Sequence, residues 1–245
     1  MRIVCLLKGD IRQQWKYGFY GLYLILTLIY AGVLSILPSN WKVTGTALII
    51  FSDPAALGLF FMGAVILLER SQRVLESLAV SPVRPEEYIV SKALSLALIS
   101  TLAAAVLGVV GGSPSLPLLC AGTFTGAMLF SMVGLAAGTS ISTINQFILV
   151  TVPIELVIFG PAILWVAGYR PWMLGLHPGV AVYQLISGNI NWTALSLLLW
   201  LAAAFFTSGV CSVILAFRGR VKTMPFFPFL TLGYILMLAE QGGAA

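Results

Sequence analysis

The sequence predicts an all-α, polytopic membrane protein with six transmembrane helices and an N-terminal amphipathic interfacial helix, forming a single transmembrane domain over residues 1–245. Three observations predict it. Hydrophobic residues make up 60% of the chain and charged residues 9%, with a mean hydropathy of +1.02, whereas soluble domains carry about 25% charged residues. The apolar residues fall into runs of about 20, enough to cross a ~30 Å hydrocarbon core as helix with every backbone hydrogen bond made internally. The basic residues sit in short clusters beside those runs, as topology signals do. The net charge of +5 therefore points to membrane orientation and not to nucleic acid.

The elements follow in chain order. Residues 1–16 alternate Arg2, Lys8, Asp10, Arg12 and Lys16 with Ile3, Leu7, Ile11 and Trp15; apolar residues four apart give a helix one greasy stripe that can lie on a membrane surface. No small-residue cleavage site ends the following apolar run, so the segment is expected to be retained. The first span is expected over roughly 17–37, ending at Leu37-Pro38-Ser39-Asn40, and the second over roughly 45–68, ending at Glu69-Arg70. Inside the second, Asp53-Pro54 looks like an N-cap followed by proline in the first turn. The helix from Pro54 to Leu68 would then be only roughly 22 Å long, which puts Asp53 near the outer interface or in the outer leaflet facing protein or water. The polar stretch 69–92 leads into a third span over about 89–110, GGSPSLP reverses the chain, and a fourth span covers about 117–139. A fifth, about 146–168, is broken by Pro153 and Pro161. Residues 169–192 are too rich in proline and glycine for a plain span and too apolar for a solvated loop, and are expected to re-enter the membrane edge from outside. The last span, about 193–217, is closed by Arg218, Arg220 and Lys222, leaving a tail at 218–245 with a marginal apolar stretch at 225–239.

Charge orients these spans. With the N-terminus inside, Arg2, Lys8, Arg12, Lys16, Arg70, Arg73, Arg84, Lys92, Arg218, Arg220 and Lys222 lie on the cytoplasmic face, and only Lys42 and Arg170 on the other. That asymmetry, eleven against two, agrees with the positive-inside rule and places both termini in the cytoplasm of a cell-membrane protein.

The 69–92 segment carries charges of both signs and a short amphipathic element, Val74, Leu75 and Leu78, which could present an apolar face to a partner groove. Glu69-Arg70 closing one span, then Val74-Leu75-Glu76-Ser77-Leu78, Ser81-Pro82-Val83, and Glu87-Tyr88 with Lys92 opening the next resembles the type-2 ABC exporter permease family. Arg73-Val74 stands where many members have Gly-Thr. Phe51-Ser52-Asp53-Pro54, Asn145-Gln146-Phe147 with Pro153-Ile154-Glu155, and Leu176-His177-Pro178-Gly179 further resemble fluoroquinolone-export permeases. The resemblance implies an ATP-driven exporter subunit that pairs with a second copy or a sister permease. It also implies ABC ATPase subunits docking at 69–92, with Glu69, Arg70, Val74, Leu75, Glu76 and Leu78 as the coupling residues and Glu69, Arg70 and Glu76 at the rim of the contact. ATP and Mg would then be bound by the ATPase, for this chain has no G-x-x-x-x-G-K-[ST] loop.

Other residues carry less specific signals. Glu155 is the one acid well inside an expected span, where an ionisable group marks a functional position by default. With Asp53 it is the candidate for the substrate path, and it equally supports a proton-coupled secondary transporter; a non-transport membrane assembly protein is the third alternative. Gly122, Gly126, Gly134 and Gly138 place a smooth strip on the fourth span for close helix packing. The lone His177 and the dispersed Cys5, Cys120 and Cys211 lack the partners that a metal site or disulfide framework needs, and Ser91 stands where an intramembrane Glu-Glu-x-x-x-Arg protease motif would require arginine.

Overall fold

A computed structural model describes residues 2–52, 57–72, 84–141, 143–190 and 196–207. They form helices α1 (Arg2–Lys16), α2 (Phe19–Ile36), α3 (Ser39–Ile50), α4 (Leu57–Ser71), α5 (Pro85–Gly111), α6 (Leu116–Ser140), α7 (Ile144–Val166), α8 (Pro178–Ile186) and α9 (Ser196–Thr207), with a 3-10 turn at Leu174–Leu176. Four helices are long and apolar enough to cross a membrane: Phe19–Ile36, Glu86–Gly111, Leu116–Gly138 and Asn145–Val166. The chain is therefore an all-α, multi-pass membrane protein. Residues 208–245, and with them the tail and the end of the last expected span, lie outside the described residues.

Helix α6 is the centre of the bundle, packed against α4 and α5 along its length and against α8 at one end. Its glycines make this possible. A Cβ on Gly122 would come 2.8 Å from the Ile186 nitrogen, and one on Gly126 would come 2.6 Å from Val182, both in α8. Toward its other end, Gly134 meets the Leu59 backbone and Gly138 the backbone of Gly63, both in α4. One strip of small residues thus seats two partners at two levels within one protomer. Between them Phe51 packs edge-on to Phe130, Phe159 and Tyr183, at centroid distances of 6.3, 4.9 and 6.2 Å, and joins the end of α3 to α6, α7 and α8. A second apolar cluster, with Tyr23, Phe61, Met62, Ile66 and Leu96, joins α2, α4 and α5.

Three expectations need correction. Helix α3 already starts at Ser39, behind Pro38, ahead of the expected start near 45, while residues 53–56, where Asp53-Pro54 is expected to open the regular helix, lie outside the described residues. Pro38 supplies a start because it needs no N–H partner there. The third span begins earlier than expected, at Pro85, where the backbone N–H of Arg84 donates to Glu87 Oε2 at 3.1 Å and closes the N-terminus. Helix α7 continues through Pro153 and Pro161.

The proline- and glycine-rich stretch after α7 contains α8, whose nine residues are all buried. It starts where the rules for N-termini put it, at Pro178 behind His177, whose Nδ1 accepts from the Gly179 N–H at 3.2 Å. Its far end lies by the turn between α5 and α6, since a Cβ on Gly188 would meet Ser115 Oγ at 3.1 Å. Helix α8 therefore sits at the end of the bundle opposite Arg84.

Candidate functional site

At the other end, α1, α4 and α5 converge on one buried ammonium. Lys92 Nζ lies 2.5 Å from Glu69 Oε1 and 2.9 Å from Asp10 Oδ1, and 4.9 Å from the centroid of the Tyr88 ring. Lys92 is 4% exposed and Glu69 2%. The remaining carboxylate oxygens are also occupied: Tyr88 OH donates to Glu69 Oε2 at 2.5 Å, and Ser91 Oγ donates to Asp10 Oδ2. Gln14 Nε2, one turn along α1, donates to Ser95 Oγ at 2.7 Å, and Ser95 Oγ in turn donates to the Lys92 carbonyl at 2.8 Å. Burying a lysine is costly unless it is paired and hydrogen-bonded; here both conditions hold.

The local sequence explains the placement. Tyr88, Ser91, Lys92 and Ser95 recur at spacings of three and four on α5, so they share one helix face. Asp10 and Gln14 do the same on α1. Glu69 sits in the last turn of α4. The network therefore bridges the two ends of the 69–92 segment, with Glu69 on the incoming helix and Lys92 on the outgoing one. The helices also extend into that segment, for α4 runs to Ser71 and α5 starts at Pro85.

Of the expected coupling residues, Glu69 is buried within the protomer, its carboxylate paired with Lys92 and Tyr88. Val74, Leu75, Glu76 and Leu78, the Arg70 side chain and Asp53 lie outside the described residues. Glu155 is half-buried on α7, far in sequence from the network and on a helix that leaves Leu149, Val152, Leu156 and Ile163 exposed. Sequence reasoning missed Asp10, Ser91, Gln14 and Ser95. The signal for Ser91 and Ser95 was a polar stripe running from Tyr88 into an otherwise apolar helix, which demands internal partners. Among the described residues no group of three or more His, Cys, Asp or Glu is placed to hold a metal ion.

An α-helical bundle with several membrane-length helices, a glycine-seated centre and a buried ion network at one end is the architecture of a polytopic membrane protein. The profile of the Fluoroquinolones export permease protein family matches residues 1–226, and the chain belongs to that family, an efflux-type ABC permease family. Two relatives, both called fluoroquinolones export permease proteins and found in two strains of Mycobacterium tuberculosis, are each 25% identical over 173 residues. The match covers 69% of this chain and 73% of each relative.

Proposed function

We propose that this permease is the membrane-spanning subunit of an ATP-driven exporter that moves drug-like or amphipathic compounds out of the cell. In this reading separate ATPase subunits bind ATP and Mg and dock on the 69–92 segment, both termini are cytoplasmic, and a second copy or a sister permease completes the pathway. Family membership and the names of the relatives support the cargo class. The observation that carries the reading is the Lys92–Glu69 pair, which ties together the two ends of one polar segment. A push on that segment then reaches α4 and α5 as one body, because separating a buried ion pair leaves an uncompensated charge.

The test is copurification with the cognate ATPase. Leu75→Ala with Leu78→Ala should weaken the complex markedly, since interface anchors commonly contribute more than ~1 kcal/mol each. An intact complex with unchanged stimulated hydrolysis would remove the segment from the contact. A second reading, proton-coupled transport, draws on Glu155, an ionisable side chain half-buried in a membrane-length helix. It requires flux driven by a pH gradient with the permease alone.

A further inference from the structure

We infer that Asp10 makes α1 a positioning element for the 69–92 segment, so that the N-terminal helix, α4 and α5 share one ammonium and set the segment's geometry together. The inference rests on that segment being the ATPase contact.

A helix that only floated on a membrane surface would need an apolar stripe and nothing more. Helix α1 instead turns two polar side chains inward, Asp10 and Gln14, and both reach α5, at Ser91, Lys92 and Ser95. An ammonium has three donors; one goes to Asp10 and one to Glu69, on two different helices. Displacing α1 would strip Lys92 of one of its two carboxylates, and would cost Asp10 its bonds to both Ser91 and Lys92 at once. A second tie runs from the α1–α2 junction to the same region: Gln72 Nε2, just past the end of α4, donates to Tyr17 OH at 2.8 Å. The incoming flank of the segment is thus held to the N-terminal part of the chain twice, once through Glu69 and Lys92 to Asp10 and once through Gln72 to Tyr17.

Because the Asp10 and Glu69 links converge on one atom, they are not independent. Lys92 Nζ stands between an acid on α1 and an acid on α4. A shift of α1 relative to α5 changes the pull of Asp10 on the ammonium and so the position available to Glu69. The angle between the end of α4 and the start of α5 is then a function of where α1 lies. Asp10 bonds to Ser91 and Lys92 of α5, so it acts on the segment through Lys92 and is a positioning residue.

The test uses the full-length permease in lipid nanodiscs, with Asp10→Asn and the conservative Asp10→Glu. Hydrogen exchange of the permease alone is read over residues 66–72 and 84–92, with α6 as internal reference. The expected result for Asp10→Asn is exchange at least ten-fold faster at both flanks, α6 unchanged, and recovery in Asp10→Glu. In the complex with its ATPase, the same variant should copurify normally while permease-stimulated ATP hydrolysis falls several-fold. Unchanged exchange at the flanks overturns the inference, as does faster exchange throughout the bundle, α6 included, or an unaltered stimulation despite loosened flanks. If wild-type permease binds no ATPase, the ATPase reading fails by itself, and the exchange result alone decides whether Asp10 positions the flanks.

Discussion

Gly134 of α6 stands against the main chain of Leu59 in α4 with no side chain between them: a Cβ at 134 would come 2.8 Å from the Leu59 Cα and 2.9 Å from its carbonyl carbon. Backbone cannot swing aside as a flexible side chain can, so the helices would have to separate. Gly134→Ala should destabilise the protein by about 1–3 kcal/mol, the usual cost of overpacking, read as a lower melting temperature in detergent. Gly160→Ala in α7 is the control, since a Cβ there meets nothing within 4 Å; it should be neutral or stabilising, alanine being the better helix former. Equal losses in the two variants would show that the Gly134 contact does not hold the bundle.

Lys92→Met should be among the more damaging single changes. It leaves the Glu69 and Asp10 carboxylates facing each other without their common cation, and removing one partner of a buried ion pair costs about 3–5 kcal/mol. Adding Glu69→Gln to Lys92→Met should restore part of the loss, because it removes one of the stranded charges. Thermal unfolding of the single and double variants checks this; a double variant as unstable as the sum of the singles would mean that the residues do not couple.

His177 gives the fold a pH dependence at the α8 end. Burial lowers its pKa from 6.5 to about 4, and its Nδ1 must stay unprotonated to accept from the Gly179 N–H. The unfolded chain therefore binds more protons between those two values, so stability rises with pH in that window. It should be full above about pH 6.5 and be lost progressively as pH falls toward 4. His177→Asn keeps a capping acceptor without a titrating group and should flatten this part of the profile. Unfolding at pH 7.5 and pH 4.5 in both proteins is the measurement, and identical slopes would clear His177.

Glu155 can be separated from purely structural roles by its charge preference. If it faces the substrate path, Glu155→Gln should slow transport of a cationic dye several-fold and spare a matched neutral one, charge-assisted contacts being the stronger ones. Equal losses for the two dyes, normalised to folded protein, would take Glu155 out of the path.

What the sequence made legible was whatever depends on local pattern. The long apolar runs became α2, α5, α6 and α7, whereas the helix start at Pro178 lay in a stretch read only as an irregular segment at the membrane edge. Lys92 was legible as a basic residue beside a span and as part of the motif at 69–92, but not as a buried cation. Its pairing with Asp10 joins residues 82 apart and depends on how α1 packs on α5, which no periodicity records. The glycine strip was visible as a face, but its division between α8 and α4 is a property of three helices meeting.

That division also apportions the cost of movement. Helix α6 cannot slide or turn without losing contact with α8 at one level and α4 at the other, so these three helices behave as a stator. Helix α2 buries only Tyr23 and Leu34 fully, and α7 leaves a long face uncovered. A cycle that opens and closes a path through the membrane disrupts least packing when it rotates α2 and α7 about the fixed α4–α6–α8 unit, which makes those two outer helices the place to attach probes of motion.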